Sequence, residues 1–436
     1  MRWLADLLYC IAGLIYLPVA LYDAVILRKN RAGWRERFGG VSALPPADCR
    51  VWVHAVSLGE VNATPSMVAA LKECSPGTEF VFSTTTDTGF ARAVQHYGPG
   101  RVFRFPLDFS FVVARVLRRM RPAMIVLVEL EVWYNLVRMA TRRGVPVVVV
   151  NGRLTHRSHR RLQRLGPVVR PMFADLAWVG AQDEAIAERF ISLGTPADRV
   201  EVVGSLKWDT AEVADVVHGA EALGKALGLD PQRPLWVCGS TGPGEEEMIL
   251  DAYRTLCESA DSVQTGAQLA IVPRKPERFE EVARLIEQRG FSCVRRSRHG
   301  DGAAAPDRGG ARVILGDSMG ELRKFYSLAS VVLVGRTLAP LGGSDPMEVA
   351  ALGKPMVMGR HYNNFEAPVR ALLAGGAVRL VSCPSELAGT VKPLLEDSAA
   401  ARAGGERGRE TVVGHQRAAA RAGGGVVPCL MSRCGA

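Results

Sequence analysis

The feature that most constrains this chain is an alternation, present twice, of short Val-, Ile- and Phe-rich runs with spacers long enough to hold a helix. The first series is 51–56, 79–84, 101–105, 123–129, 145–150 and 176–180, closed by VVGSLKWD at 202–209. A second begins at Leu235, with runs at 235–239, 268–273, 312–315, 331–335, 355–359 and 377–381. Strand–helix alternation of this kind predicts an α/β fold, a parallel sheet with helices on both faces. A chain of 436 residues exceeds one ordinary core, so each series is read as its own doubly wound, Rossmann-like domain. The expected layout is a hydrophobic segment over 1–30, a first domain over 31–209 and an Ala/Gly-rich helical linker over 210–230. A second domain over 231–398 follows, then a last helix near 399–420 within a tail, 399–436, that ends in disorder. SRHGDGAAAPDRGGA at 297–311 reads as a flexible loop. Doubly wound sheets bind ligands at the carboxyl ends of their strands, which predicts two domains facing a central cleft.

Composition narrows the partners. With 48% hydrophobic and 22% charged residues the chain is globular. A formal net charge of +10 favours an anionic partner: nucleic acid, phospholipid or a phosphorylated substrate. Nine scattered cysteines show no zinc spacing, and the odd count argues against a disulfide framework, which fits a reducing compartment. Leu4–Leu21 is almost wholly apolar, 18 residues at the short end of a membrane span. Arg28, Lys29, Arg31, Arg35 and Arg37 follow, so an anchor here would leave the body cytoplasmic. The alternatives are a cleaved signal peptide, for which no small-residue cleavage site is evident, and an amphipathic or buried first helix.

WVHAVSLGEV at 52–61 reads as a buried strand, a Ser-Leu-Gly turn and an acid, Glu60, at a helix start. The helix dipole alone favours Glu there. A general base at a strand–helix corner, beside Ser57 and the small Gly59, is the functional reading. FSTTTDTGF at 82–90 offers Ser83, Thr84 and Thr85 to a sugar or phosphate, or simply caps the next helix. VELEVWYN at 128–135 places Glu129 and Glu131 two apart at a strand end, on one face if the strand continues. They either orient a substrate or pair with nearby arginines. NGRLTHRSHRRLQR at 151–164 is basic, with Arg153 and Arg157 on one face if helical, suited to phosphates of an anionic lipid. No aromatic platform or binding motif supports nucleic acid.

In the second series CGSTGPGEEE at 238–247 is strand, glycine turn and acidic helix start, without the lysine of a Walker loop. Pro273 and Arg274 sit just past a strand, where the arginine could pair with a phosphate. Met319, Gly320 and Glu321 mark one helix start, and Asp345, Pro346, Met347 and Glu348 another. Backbone N–H groups at such starts hold phosphates, and a carboxylate there can take ribose hydroxyls. Together these predict a nucleotide site.

The motifs VHAVSLGEV, STTTDTG, ELEVWYN, NGRLTHRS, GSLKWD, PRKPERF, DSMGELRKFY and GGSDPMEVAALGKP occur in that order from about residue 30 to 395. In them the chain resembles the 3-deoxy-D-manno-octulosonic acid (Kdo) transferases of lipopolysaccharide synthesis, which have the two-domain GT-B fold. The resemblance implies an inverting glycosyltransferase at the cytoplasmic face of the bacterial inner membrane. It implies CMP-Kdo as donor, a phosphorylated, acylated lipid A precursor as acceptor, and neither metal nor cofactor. Glu60 matches the family's base, and Glu131 and Lys207 match positions near the reacting centre. Pro273, Arg274, Met319, Gly320, Glu321 and Asp345–Glu348 match the CMP site. Ser57, Gly59, Ser83, Thr84, Thr85, Arg153 and Arg157 are assigned to the acceptor side.

The chain departs from the family at Ser344–Asp345, where His-Asn is usual, and at Leu130 and Tyr134. An aspartate beside a phosphate is repulsive unless it is paired or faces the ribose. Two other readings compete: another GT-B enzyme such as a nucleotide-sugar epimerase, which has no need of an apolar N-terminus, and a non-enzymatic binder of anionic lipid or nucleic acid.

Overall fold

The computed structural model describes residues 5–11, 13–15, 32–258, 266–300 and 312–434. The chain forms two compact units, one of Met1–Thr210 with His415–Ala436, the other Ala211–Gly414. Each is built on a seven-stranded parallel sheet. In the first unit the strands are β1 (Arg50–His54), β2 (Glu79–Thr84), β3 (Val102–Arg104), β4 (Met124–Val128), β5 (Val147–Gly152), β6 (Trp178–Ala181) and β7 (Val200–Val202). Their order is β3-β2-β1-β4-β5-β6-β7. The second unit has β8 (Leu235–Thr241), β9 (Gln268–Pro273), β10 (Ser292–Arg295), β11 (Arg312–Leu315), β12 (Val331–Val334), β13 (Met356–Met358) and β14 (Val378–Leu380). Their order is β10-β11-β9-β8-β12-β13-β14.

The strands are apolar throughout because both sheet faces are covered. Trp52, Ile125, Leu127, Val147 and Val149 enter one core of the first unit. Val51, Val53, Val126, Val128, Val148 and Val150 enter the other. Each such side chain contributes about 1.5–3 kcal/mol on burial, and period-two alternation feeds both faces. Two strands escaped the apolar-run criterion, β7 (VEV) and β10 (SCVR). Both are edge strands with polar, partly exposed residues, as edges are.

Several sequence expectations change. The tail does not become disordered after 420: Ala418–Cys434 is a helix. Its Ala418, Ala419, Ala422, Val426 and Leu430 are buried in the first unit's core. One of the glycines that suggested disorder makes room instead: a Cβ on Gly425 would sit 2.2 Å from the Trp178 indole. Asp209 caps the helix, accepting from the N–H groups of Arg417 (2.7 Å) and Ala419 (2.6 Å). Cys434 at its end is disulfide-bonded to Cys49 just before β1. The odd cysteine count argues against a disulfide framework, and the structure has this one bridge. The two cysteines lie 385 residues apart, and only the packing of the last helix brings them together. Residues 211–230 are part of the second unit, where Ala220–Ala226 is helical and Leu223 and Leu227 are buried.

No helix among the described residues is long and apolar enough to cross a membrane. The transmembrane expectation is therefore not supported by what is described, and residues 16–31 lie outside it. Residues 5–11 and 13–15 are helical. Asp6, the one acid in the apolar stretch, accepts from Ser110 N–H (2.8 Å), Ser110 Oγ (2.5 Å) and Asn135 Nδ2 (2.9 Å). That fastens the segment to the start of helix Ser110–Met120. The 297–311 loop also falls mostly outside the described residues.

Candidate functional site

In the first unit chemistry gathers where β1 and β4 lie side by side, with β2 beyond β1 and β5 beyond β4. After β1 the chain turns into the short helix Leu58–Asn62, with Ser57 as its N-cap. Ser57 Oγ accepts from the Glu60 N–H at 3.4 Å, and its hydroxyl donates to Glu60 Oε1 at 2.8 Å. The Val56 N–H donates to Glu60 Oε2 at 2.8 Å. This is close to a capping box and accounts for the placement of Glu60 by itself. Its electrostatics go further. Burial pushes the Glu60 carboxyl up to about 7, Glu129 and Glu131 add to the rise, and the bonds from Val56 and Ser57 oppose it. Such a carboxyl exchanges its proton near neutrality. A Cβ on Gly59 would meet only Ser57 Oγ, at 4.0 Å, so nothing in the fold itself demands glycine there.

Glu129 and Glu131 are not on a strand face as the two-residue spacing suggested. β4 ends at Val128, and Glu129 turns the chain with φ at 65°, a left-handed value that costs a non-glycine residue about 1–3 kcal/mol. Glu129 Oε1 lies 3.8 Å from Lys207 Nζ. Glu131 Oε2 accepts from Trp133 Nε1 at 2.9 Å and lies 4.0 Å from His54 Nε2. Burial raises the Glu131 carboxyl and Glu129 raises it further, while the Trp133 bond lowers it. Neither acid has an arginine as its ion-pair partner among the described residues.

Asn151, at the end of β5, also adopts a left-handed φ, 55°. Its Oδ1 accepts from the Leu206 N–H (3.1 Å) and from Gln182 Nε2 (3.0 Å), which fixes the loop carrying Lys207. Asparagine tolerates this backbone and supplies the acceptor. Neither Asn151 nor His54 stood out in the sequence as more than a letter in a motif.

The Ser/Thr run mostly works inside the fold. Ser83 is fully buried, with Oγ accepting from Trp52 Nε1 at 2.8 Å, and Thr84 is buried too. Both are corrected from ligand-facing hydroxyls to internal ones. Thr85 is half-buried and its carbonyl accepts from Arg37. Thr86 caps helix Asp87–Tyr97 and donates to the Val56 carbonyl (3.1 Å), propping the corner that holds Glu60. Arg153 precedes helix His156–Arg164, so it shares no helical face with Arg157. Both are exposed, and the Arg153 N–H donates to the Glu129 carbonyl at 3.4 Å.

In the second unit β8 and β12 are neighbours. Ser240, inside the end of β8 (φ 55°), and Arg336, just after β12 (φ 63°), are again left-handed. Glu245, the first residue of helix Glu245–Glu258, accepts from the N–H groups of Gly242 (2.9 Å), Arg336 (2.5 Å) and Leu338 (2.8 Å). Glu246 is held by Arg278 (2.6 Å) and Thr241 Oγ1 (2.7 Å). These acids close the ends of the sheet.

Pro273 is buried at the end of β9, and Arg274 beyond it is exposed, its N–H on the Thr241 carbonyl at 3.1 Å. Met319 and Gly320 are exposed. Glu321 begins helix Leu322–Leu328 and is gripped by Arg296 Nε (2.9 Å), Ser318 Oγ (2.5 Å) and Lys324 Nζ (3.2 Å). Chiefly through Arg296, its carboxyl is pulled down to about 2. Asp345 Oδ1 accepts from the Met347 N–H at 2.8 Å, capping helix Met347–Ala351, whose N-cap residue is Pro346. Desolvation raises the Glu348 carboxyl while Arg323 and Arg274 draw it back. Tyr326, buried against Gly239, feels both Glu348 and Asp345, so these residues share one neighbourhood. Among the described residues no His, Cys, Asp or Glu group is arranged to hold a metal ion.

Known proteins resemble the chain in both sequence and fold. The family model of the 3-deoxy-D-manno-octulosonic-acid transferases matches residues 32–210. A 3-deoxy-D-manno-octulosonic acid transferase of Haemophilus influenzae is 31% identical over 95% of this chain and 93% of its own length. One from Bordetella pertussis is 34% identical over 90% and 92%. Among solved structures, a UDP-GlcNAc 2-epimerase from Neisseria meningitidis superposes with a TM-score of 0.57 over 87% of this chain and 100% of its own, at 13% identity. That likeness shows the GT-B-like fold alone.

Proposed function

Because the chain belongs to the 3-deoxy-D-manno-octulosonic acid (Kdo) transferase family and is a glycosyltransferase, we propose that it moves Kdo from CMP-Kdo to a phosphorylated, acylated lipid A precursor, with inversion and with Glu60 as general base. The observation that carries this is the state of Glu60: a largely buried carboxyl raised to about 7 beside two further acids, at the carboxyl end of a parallel strand. In the reaction, Glu60 takes the proton from an acceptor hydroxyl as that oxygen bonds to the anomeric carbon. The bond from that carbon to the phosphate oxygen breaks, and its electron pair leaves with CMP.

The second unit is the donor side. Arg274 meets the phosphate, backbone N–H groups of the 319–321 and 345–348 turns support it, and Glu348 faces the ribose. Asp345 is paired with the Met347 N–H, which takes that N–H out of the set left for the phosphate. Lys207 moderates the negative charge of Glu129, and the exposed Arg153 and Arg157 take acceptor phosphates. The chain works at the cytoplasmic face of the inner membrane. Exposed Leu7, Leu8, Ile11, Leu14, Ile15 and Phe111 support contact with a lipid surface.

The test is a transfer assay with CMP-Kdo and a tetraacylated lipid A precursor, read by mass spectrometry, comparing wild type with Glu60→Gln. Kdo added by wild type and essentially none by the variant is the expected result. Equal transfer by both overturns the base assignment, and no transfer by wild type overturns the acceptor.

A further inference from the structure

His54 ends β1, registered against Ser83 of β2 and Leu127 of β4. It is fully buried and stacks on Phe105, ring centroids 3.7 Å apart. Nδ1 lies 3.0 Å from the Ser83 carbonyl and 3.0 Å from Ser83 Oγ. A carbonyl can only accept, so Nδ1 carries the proton and Nε2 presents a bare lone pair. That nitrogen is buried with no hydrogen-bond partner. Trp52 locks Ser83 Oγ from the other side at 2.8 Å, so the ring is held in this orientation.

An orphaned buried nitrogen is destabilising, a cost that an apolar residue stacked on Phe105 would avoid. What it faces is the Glu131 carboxyl, 4.0 Å away. A lone pair and a carboxylate oppose each other, whereas a lone pair and a carboxylic acid complement each other. We propose that His54 is a positioning residue which holds Glu131 in its proton-bearing form, so that Glu131 does not repel the anionic sugar being transferred.

The proposal rests on the reading above, that Glu131 lies near the reacting centre. Its chemistry follows from charge. Glu60, Glu129 and Glu131 influence one another, and Lys207 lies closest to Glu129. Three carboxylates would repel a sugar acid, and holding one of them as a neutral acid removes part of that repulsion. Burial already raises Glu131, and it keeps His54 neutral by pulling the imidazole down to about 3. The charged or titratable groups grouped with this pair are Glu60, Glu129 and Lys207.

The decisive variants are His54→Asn, whose amide keeps a donor for the Ser83 carbonyl but leaves nothing at the Nε2 position, and His54→Gln, which restores an acceptor there. The expected result for His54→Asn is a kcat about 10- to 100-fold lower with acceptor KM little changed. Its alkaline limb of activity should move toward acid by roughly one pH unit, because Glu131 loses its proton sooner. His54→Gln should recover much of both. A His54→Asn enzyme that matches wild type in kcat and alkaline limb overturns the proposal and leaves His54 a core residue. So does an asparagine variant whose activity falls only in proportion to its folded fraction. If the asparagine variant does not fold, a His54→Gln enzyme with a displaced alkaline limb overturns it instead. Wild type that transfers no Kdo sinks the function reading itself, which separates the two failures.

Discussion

The two units carry the same device with opposite outcomes. In each, a parallel strand runs into a turn and a first-turn glutamate is drawn inward, Glu60 after β1 and Glu245 after β8. Burial raises both carboxyls. Glu245 is fully buried, and three backbone N–H groups from two strand ends converge on it. Glu60 keeps 9% of its surface exposed, accepts from one N–H and one hydroxyl, and is flanked by two more acids. Burial therefore does not separate the acid proposed as base from a structural one. The supply of donors and the access of a substrate do.

The largest effect should come from Glu60→Gln, which lowers transfer about 100- to 10,000-fold without lowering thermal stability. Calorimetry beside the transfer assay checks both parts, and a variant that loses activity only because it unfolds breaks the contrast. Glu245→Gln is the counterpart. An amide presents an N–H₂ where a converging N–H needs an acceptor, so the folded state should lose about 2 kcal/mol. Denaturant unfolding measures this, and a neutral result would remove the distinction between the two acids.

A smaller effect is expected where helix Ala418–Cys434 meets the first unit. Gly425→Ala drives a methyl into Trp178 and should cost about 1–3 kcal/mol, read as a lower melting temperature. An unchanged value would mean that the helix does not depend on that contact. The smallest effect sharpens the state of Glu60. Its folded pKa, about 7, lies above the ordinary carboxyl value of 4.5, so the folded form binds the proton more tightly. The resulting stability is fully present below about 4.5 and is lost as pH rises through about 7. Between pH 6 and 8 wild type should lose about 1 kcal/mol relative to Glu60→Gln, which has no such proton. Activity should run the other way, rising through about 7 as the base ionises. A pH-independent difference between the two proteins would show that Glu60 titrates normally.

What could be read in the chain was whatever is local. Apolar runs of strand length gave the central strands, because both faces of a doubly wound sheet are covered. Ser57 and Glu60, three apart, announce a helix start, since a capping box needs no distant partner. The edges β7 and β10 were silent, because an edge strand needs no apolar run. The tail misled because the small residue at Gly425 is explained by Trp178, 247 residues earlier in sequence.

The sequence by itself determined the two doubly wound domains, the order of the motifs and the family. Tertiary structure alone decided which polar residues serve the fold and which remain available. Ser83 is consumed by Trp52 and His54, Glu321 by Arg296, and Glu245 by three amides, while Glu60 and Glu131 retain raised, under-supplied carboxyls. The physical reason is that a carboxyl's proton affinity depends on burial and on donors arriving from strands far apart in the chain. Only the assembled sheet brings those donors together.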